Sequence, residues 1–108
     1  MFIQIQAFGR VERDPELRIA RDGSLHAEFL LAVNTIRCVQ NVTVPLLCYA
    51  WGKQAETIQS CITKGSMLFV QGHFSYQPYI GEDGEPAVSL EVNVEQFQIA
   101  PVSEAAAA

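Results

Sequence analysis

Residues 44–66 constrain the fold more than any other stretch of this 108-residue chain. An apolar segment, residues 44–51, ends at Gly52, and a second glycine, Gly65, closes the stretch. Between the glycines, three apolar residues fall at the spacing of one helical stripe: Ala55, Ile58 and Ile62. The stretch therefore predicts a strand, a turn, one amphipathic helix and a second turn. It also holds the only tryptophan, Trp51, at the end of the predicted strand.

The segments before this stretch alternate apolar and polar residues with a period of two, the pattern of a β-strand. Long strands are predicted over residues 2–12 and 25–35, with a short extended piece at residues 17–20 between them. The dipeptide Asp22-Gly23 predicts a hairpin turn, because it favours the positive dihedral angles that a tight turn requires.

The segments after this stretch alternate in the same way. Strands are predicted over residues 67–77 and from residue 87 onward, joined by a long hairpin tip at residues 78–86. The apolar phase of the last strand changes at Gln96, which predicts a bulge or the strand end there.

The predicted order of elements is β-β-β-α-β-β, an all-β fold. Five strands with one helix between strands 3 and 4 form the pattern of the five-stranded OB-fold Greek-key barrel. We expect one such domain over residues 1–100 and a disordered C-terminal tail over residues 101–108.

Charge is unevenly distributed along the chain, whose formal net charge is −5. Residues 1–64 carry seven basic and six acidic side chains, whereas residues 65–108 carry six acidic side chains and no Lys or Arg. Positive potential can therefore come only from the first part of the chain. Nucleic-acid-binding domains are usually more basic than this, so the charge balance argues mildly against a nucleic-acid partner.

The sequence contains no motif that indicates another class of function. No apolar run approaches the roughly 18 residues that span a bilayer, and the three cysteines form no C-x-x-C pair for a metal or redox site. There is no nucleophile elbow and no phosphate-cradling glycine loop. We expect a cytoplasmic protein that is not an enzyme, with no cofactor, no metal and no membrane contact.

Five groups of residues follow one another in an order and at distances that fit one protein family. They are Gly9-Arg10 with Asp14-Pro15-Glu16-Leu17-Arg18, Phe29-Leu30-Leu31-Ala32-Val33-Asn34, Trp51-Gly52-Lys53-Gln54-Ala55-Glu56, Lys64-Gly65-Ser66 and Val70-Gln71-Gly72. Through them the chain, from about residue 2 to residue 99, resembles bacterial single-stranded DNA-binding proteins.

This resemblance implies a protein without catalytic activity or cofactor that binds single-stranded DNA without sequence specificity. Bases stack on aromatic side chains, at about 1–3 kcal/mol per base, and a basic groove follows the phosphates. The resemblance further implies a homotetramer, with a dimer as the other possibility, and work in DNA replication, repair and recombination at the nucleoid. Replication and repair proteins are the expected protein partners.

The resemblance carries over to individual residues only in part. The aromatic residue that precedes Gly-Lys in the family matches Trp51, and the aromatic residue of the hairpin after the fourth strand matches Tyr79. Two further stacking positions fall near Arg37 and Pro45, neither of which is aromatic. Tyr49 shares a strand face with Trp51 and is a further candidate. The candidate phosphate contacts are Lys53, Arg10, Arg18, Arg21 and Arg37.

Several of these residues also have a structural interpretation. Trp51 is either the end plug of the barrel or a solvent-side stacking platform, and its parity with Tyr49, opposite the apolar positions of the strand, favours the platform. Tyr79 could pack only on its own hairpin, and each cation could be a solvated charge. Phe74 and Tyr76 are predicted to belong to the core, and the two histidines, His26 and His73, are predicted to be structural or solvated.

Two functional hypotheses remain open. The retained Trp51-Gly52-Lys53 favours a single-strand binder. The resemblance also implies basic residues on the hairpin, where this chain has Gln77, Pro78, Glu82, Asp83 and Glu85 instead. This difference, the acidic second half and the two missing aromatic residues favour a related barrel that acts mainly as a protein-interaction or primosome-type module with weak DNA binding.

Overall fold

The computed structural model describes residues 3–35 and 42–100. Within them the chain forms six strands and one helix. The elements are β1 (Ile3–Val11), β2 (Glu16–Ile19), β3 (Leu25–Thr35), β4 (Val42–Trp51), α1 (Lys53–Cys61), β5 (Met67–Ile80) and β6 (Pro86–Ile99). The predicted tail at residues 101–108 and the candidate Arg37 lie outside the described residues.

The predicted all-β barrel with a single helix after the apolar strand is confirmed. The strand count is six rather than five, because the short extended piece near residues 17–20 pairs with β3 and forms β2. The helix accordingly lies between β4 and β5.

Strand pairing closes the sheet on itself. The strand order is β1-β5-β6-β4-β3-β2, and β1 also pairs with β3 through Arg10↔Ala32 and Val11↔Leu31. β2 pairs with β3 over residues 25–28, which leaves the later part of that edge to β1. The result is a barrel of β1, β5, β6, β4 and β3, with β2 attached at one edge.

Two glycines allow backbones to approach closely, Gly9 where β1 begins to pair with β3 and Gly72 where the β5–β6 pairing is irregular. A Cβ atom at Gly9 would lie 2.3 Å from the carbonyl oxygen of Ala32, and one at Gly72 would lie 2.1 Å from that of Asn93. At Gly72 the β5–β6 register shifts, so that Glu95 has no partner on β5. This irregularity lies where the apolar phase of the sequence changes, and the predicted bulge is confirmed.

Within residues 3–35 and 42–100, the core is one apolar cluster between the strands and the helix. Its fully buried large side chains are Leu31, Ile58, Ile62, Leu68, Val11, Val70, Val92 and Cys48. The predicted helical stripe is confirmed, since Ala55, Ile58 and Ile62 are all buried. The helix ends earlier than the sequence predicts, because Ile62 already has an extended backbone, so Lys64 lies beyond the last turn.

Beyond the barrel, β5 and β6 continue as a two-stranded arm, here defined as residues 75–90. From Ser75 onward, β6 is the one described strand that pairs with β5. The closing turn spans residues 81–85 rather than the longer tip that the sequence predicts. One face of the arm is entirely apolar: Tyr76, Pro78, Ile80, Pro86, Val88 and Leu90. Tyr76 is 63% exposed, so its predicted place in the core is wrong, whereas Phe74 packs against the core.

No helix of the described residues is long and apolar enough to cross a membrane.

Candidate nucleic-acid interface

The strand register brings candidate residues together on the face of the sheet opposite the core, called the outer face below. Arg18 of β2 pairs with His26 of β3, and His26 pairs with Trp51 of β4. On the next row of the same face, Glu28 pairs with Tyr49, and Tyr49 pairs with Asn93 of β6. Because strand side chains alternate between faces, these residues all point away from the buried side chains of the same strands.

Trp51 is exposed on this face. Its side chain is 44% exposed, whereas Leu46, Cys48 and Ala50 on the other face of β4 are buried. Gly52, with a φ of 64°, turns the chain directly after it, and its N–H donates to the carbonyl of Leu25. The interpretation of Trp51 as the end plug of the barrel is therefore wrong.

A groove of about 220 Å³ runs along the outer face beside the indole ring. It is lined by Tyr49, Trp51, Ser75, Glu91 and Asn93, which come from β4, β5 and β6. The groove therefore connects the ring of Trp51 with the base of the arm.

The imidazole of His26 completes this aromatic cluster. Its ring centroid lies 4.7 Å from that of Trp51, at an interplanar angle of 37°, and 6.1 Å from that of Tyr49. Sequence reasoning missed His26 as a member of the site. The signal that could have found it is its position directly opposite Trp51, which requires the β3–β4 register.

Acidic side chains accompany the cations of the outer face. Arg18 Nη2 lies 2.6 Å from Glu16 Oε2 and Arg18 Nε lies 3.6 Å from Glu28 Oε2, while His26 Nε2 lies 3.2 Å from Glu28 Oε1. The hydrogen bond to Glu16, and then the negative charges of Glu28 and Glu16, raise the pKa of the Arg18 guanidinium. Arg18 is therefore already paired with two carboxylates, and a phosphate would have to compete with them for its guanidinium.

The hydroxyl of Tyr49 also lies close to acidic side chains. Burial, followed by the negative charges of Glu91 and Glu28, raises the pKa of its hydroxyl. The hydroxyl of Tyr49 therefore stays neutral at physiological pH, and the ring offers an uncharged surface between two carboxylates.

Two other cations lie at the same end of the sheet as Trp51. Arg21 is in the turn between β2 and β3, and Lys53 is the first residue of α1. Both are exposed, and no carboxylate of residues 3–35 and 42–100 forms an ion pair with either. A lysine at the N-terminus of a helix is unfavourable by itself, because the helix dipole is positive there, and a bound anion would relieve that cost.

Arg10 and Tyr79 lie apart from this cluster. Arg10 pairs with Ala32, six residues along β3 from His26, or about 20 Å at the usual rise of a strand. It lies beside Phe8 in a separate groove between β1 and β3. Tyr79 is 51% exposed on the arm. It shares its face with Ser75, about 13 Å away along the strand.

No group of acidic, histidine and cysteine side chains among residues 3–35 and 42–100 could hold a metal ion. Burial raises the pKa of the Cys48 thiol to about 12, so this cysteine is a neutral core residue at physiological pH. The chemistry that the described outer face offers is ring stacking beside a few cations.

Comparison with known proteins gives one consistent result. The model of the family described as "Single-strand binding protein family" matches residues 2–100. The single-stranded DNA-binding protein of Clostridium perfringens is 38% identical over 95 residues, which cover 87% of this chain and 63% of the relative. Single-stranded DNA-binding protein A of Bacillus subtilis is 32% identical over 101 residues, which cover 91% of this chain and 59% of the relative.

This chain thus spans about three fifths of the length of these curated relatives. Among solved structures, the small single-stranded DNA-binding protein from Streptomyces coelicolor superimposes with a TM-score of 0.79 and 20% sequence identity. The match covers 93% of this chain and 95% of that one, so the two proteins share their fold over nearly their whole length.

Proposed function

Because the chain belongs to the single-strand binding protein family, we propose that it binds single-stranded DNA without sequence specificity and protects it in replication, repair and recombination. The observation that carries this proposal is the exposed indole of Trp51. It lies on the outer face of the sheet, directly before Gly52-Lys53 in the chain. The curated relatives are named for single-stranded DNA binding. The alternative of a protein-interaction or primosome-type module gains no support from them.

In the proposed mode, a base stacks on Trp51 and the neighbouring ring of Tyr49 extends the contact. Stacking on an aromatic side chain contributes about 1–3 kcal/mol per base and tolerates any sequence, because every base has a π-face. The groove beside Trp51 leaves room for the stacked base. Sequence-independent binding is therefore a direct consequence of the chemistry of this surface.

The charges of the outer face give the phosphates a preferred side. Glu91 lies beside Tyr49 on β6, so a backbone that ran across β6 would meet a like charge. Lys53 and Arg21 lie at the opposite side of Trp51 without a described acidic partner. We place the phosphates along this side, with Arg18 as a third contact that a phosphate shares with two carboxylates.

The remaining candidate residues extend the same proposal. Tyr79 would offer a second stacking ring on the arm, and Arg10 would contact the backbone of a strand that continues around the barrel to β1. Arg37 stays a predicted phosphate contact, as its positive charge suggests. The proposed activity involves no catalysis and no cofactor, and its place is the cytoplasm, where bacterial DNA lies.

We also propose that the protein is a homo-oligomer, a tetramer or a dimer. Residues 3–9 of β1 pair with β5 along one edge, while no described strand pairs with their other edge. Ile3 and Phe8 on this strand are 58% and 48% exposed. An open edge with exposed apolar residues is a surface that a second copy could cover. Sedimentation equilibrium distinguishes monomer, dimer and tetramer.

The test of the proposed function uses Trp51 as its own probe. Addition of oligothymidine at low salt should quench the Trp51 fluorescence, since a base stacked on the indole changes its emission. A double-stranded oligonucleotide of matched length is the control and should leave the signal nearly unchanged. Unchanged fluorescence at high oligothymidine concentration, with no change in sedimentation, would contradict the proposal.

A further inference from the structure

His26 occupies the centre of the proposed platform, yet a bound base could hardly reach it. Its side chain is only 13% exposed, and its ring packs against that of Trp51 at a tilt of 37°. Its Nε2 lies 3.2 Å from Glu28 on its own strand. Any effect of His26 on a bound base must therefore pass through Trp51. This makes it a candidate positioning residue rather than a contact.

We propose that His26 holds the indole of Trp51 in its stacking position and that protonation of this histidine strengthens the binding of single-stranded DNA. This inference rests on the proposed function. Histidine is the side chain whose charge ordinarily changes between about pH 5 and 8. A protonated ring would place a positive charge against the indole that carries the base.

The side chains around His26 either attract or repel a positive charge on its ring. The charged and titratable side chains that face it are Glu16 and Arg18 on β2, Glu28 on β3 and Tyr49 on β4. Glu28 attracts a protonated ring, and so does the face of the Trp51 indole. Arg18 opposes it, but is itself held by the two carboxylates.

The two nitrogens of the imidazole have different surroundings. Nε2 faces Glu28, whereas Nδ1 is buried and has no hydrogen-bond partner among the described residues. The neutral ring with its proton on Nε2 can donate a hydrogen bond to Glu28. Its Nδ1 then carries no N–H that would need an acceptor. Protonation adds a buried N–H at Nδ1 without a described acceptor, and the attraction of Glu28 and of the indole face for the charged ring opposes this cost.

A bound strand shifts this balance toward the charged ring. Phosphates near Trp51 add negative charge to the surroundings of His26, which favours the protonated form. By linkage, a DNA-bound state that favours the proton must bind more tightly when the proton is present. We therefore expect affinity to rise as the pH falls, by about fivefold for one added charge roughly 17 Å from one phosphate at an effective dielectric of about 20.

The first experiment needs no DNA. A protonated imidazole in contact with an indole quenches its emission more than a neutral one does. Trp51 fluorescence should therefore fall as the unaltered protein is taken from about pH 8 to about pH 5.5. The change should be absent in His26→Phe, which keeps a stacked ring without the charge, and in His26→Gln, which keeps a donor toward Glu28.

A matched control comes from the second histidine of the same face. His73 Nε2 lies 3.5 Å from Glu95 Oε1, so this histidine also lies beside a carboxylate, but its pairing partners are Gln4 and Asn93 rather than Trp51. His73→Gln should keep the full fluorescence change. If His26→Phe and His26→Gln still titrate like the unaltered protein, the inference is overturned. Thermal unfolding checks that each variant is folded, and either His26 variant alone decides the outcome.

The second experiment measures affinity for oligothymidine by anisotropy of a labelled strand at constant ionic strength. The unaltered protein and His73→Gln should bind about fivefold more tightly at about pH 5.5 than at about pH 8, and the two His26 variants less than about twofold. Equal pH dependence in all four proteins overturns the inference alone. No binding by any of them overturns the proposed function, while the DNA-free titration still decides whether His26 charges against Trp51.

Discussion

The barrel and the arm are built from the same two strands, β5 and β6, yet their apolar residues have opposite surroundings. In the barrel, Leu68, Val70 and Val92 are fully buried. In the arm, Tyr76 and Ile80 are 63% and 68% exposed although they continue the same alternation. The difference arises because the barrel part faces α1 and the strands opposite, whereas in the arm no described element faces those side chains. Alternation decides which way a side chain points, and only an opposing layer decides whether it is buried.

The same contrast applies to charge. Trp51 lies near Arg18, Arg21 and Lys53, while the arm and its tip carry only acidic charges, at Glu82, Asp83 and Glu85. An aromatic ring stacks on a base in either place, but a neighbouring cation is needed to hold the phosphate. We therefore expect the outer face beside Trp51 to dominate binding and the arm to contribute a ring without a phosphate contact.

The largest effect that separates barrel from arm concerns stability. Leu68→Ala should lower the free energy of unfolding by about 2–5 kcal/mol, because it leaves a cavity at a fully buried position. Ile80→Ala should change it by less than about 0.5 kcal/mol, since that side chain is largely exposed. Urea denaturation followed by circular dichroism measures both. Comparable losses would show that the arm is packed in solution against a surface such as a second copy.

The next largest effect compares what the rings of Trp51 and Tyr79 contribute to the affinity for single-stranded DNA. Trp51→Ala should weaken oligothymidine binding by about 1–3 kcal/mol, the usual contribution of one stacked base, which is about 5- to 150-fold in Kd. Trp51→Phe keeps a ring and should retain most of the affinity. Tyr79→Ala should cost less than Trp51→Ala, because no described cation stands beside Tyr79.

Anisotropy titrations at one salt concentration provide these values. A larger loss for Tyr79→Ala would reverse the comparison and make the arm the principal binding surface.

The smallest effect concerns salt. With four to six basic side chains able to reach phosphates, the slope of log K against log salt should be shallow, about −3 to −4 at roughly 0.7 per contact with a single strand. Lys53→Gln should make the slope about 0.7 less steep, because it removes one phosphate contact. Lys64→Gln is the matched control, since Lys64 follows α1 at the end remote from Trp51 and should leave the slope unchanged. A slope near −8 would mean that many more cations contact the strand than the outer face provides.

Much of the fold could be predicted because its signals are local. The helical stripe of Ala55, Ile58 and Ile62, the phase change near Gln96 and the turn at Gly23 each depend on neighbours in the chain. The short β2 was recognised as extended but not as a paired strand, because four residues carry too little pattern to indicate a partner.

The candidate site, like the fold, could be predicted only where it depends on residues close together in the chain. Parity alone placed Trp51 and Tyr49 on one face, opposite the buried residues of β4, and that placement depends only on alternation along a single strand. The contact of His26 with Trp51 could not be predicted, because it joins residues far apart in the chain through a register that no single strand specifies.

By itself, the sequence determined the strand alternation, the glycine turns, the one helix and the confinement of all basic residues to the first part of the chain. Those are properties of short segments and of composition. Only the tertiary structure decided that Tyr76 lies outside the core, that acidic partners hold Arg18, and that His26 stacks on Trp51. Each of these depends on which strands pair, in which register, and on where the opposing layer ends, and those choices arise from contacts between distant parts of the chain.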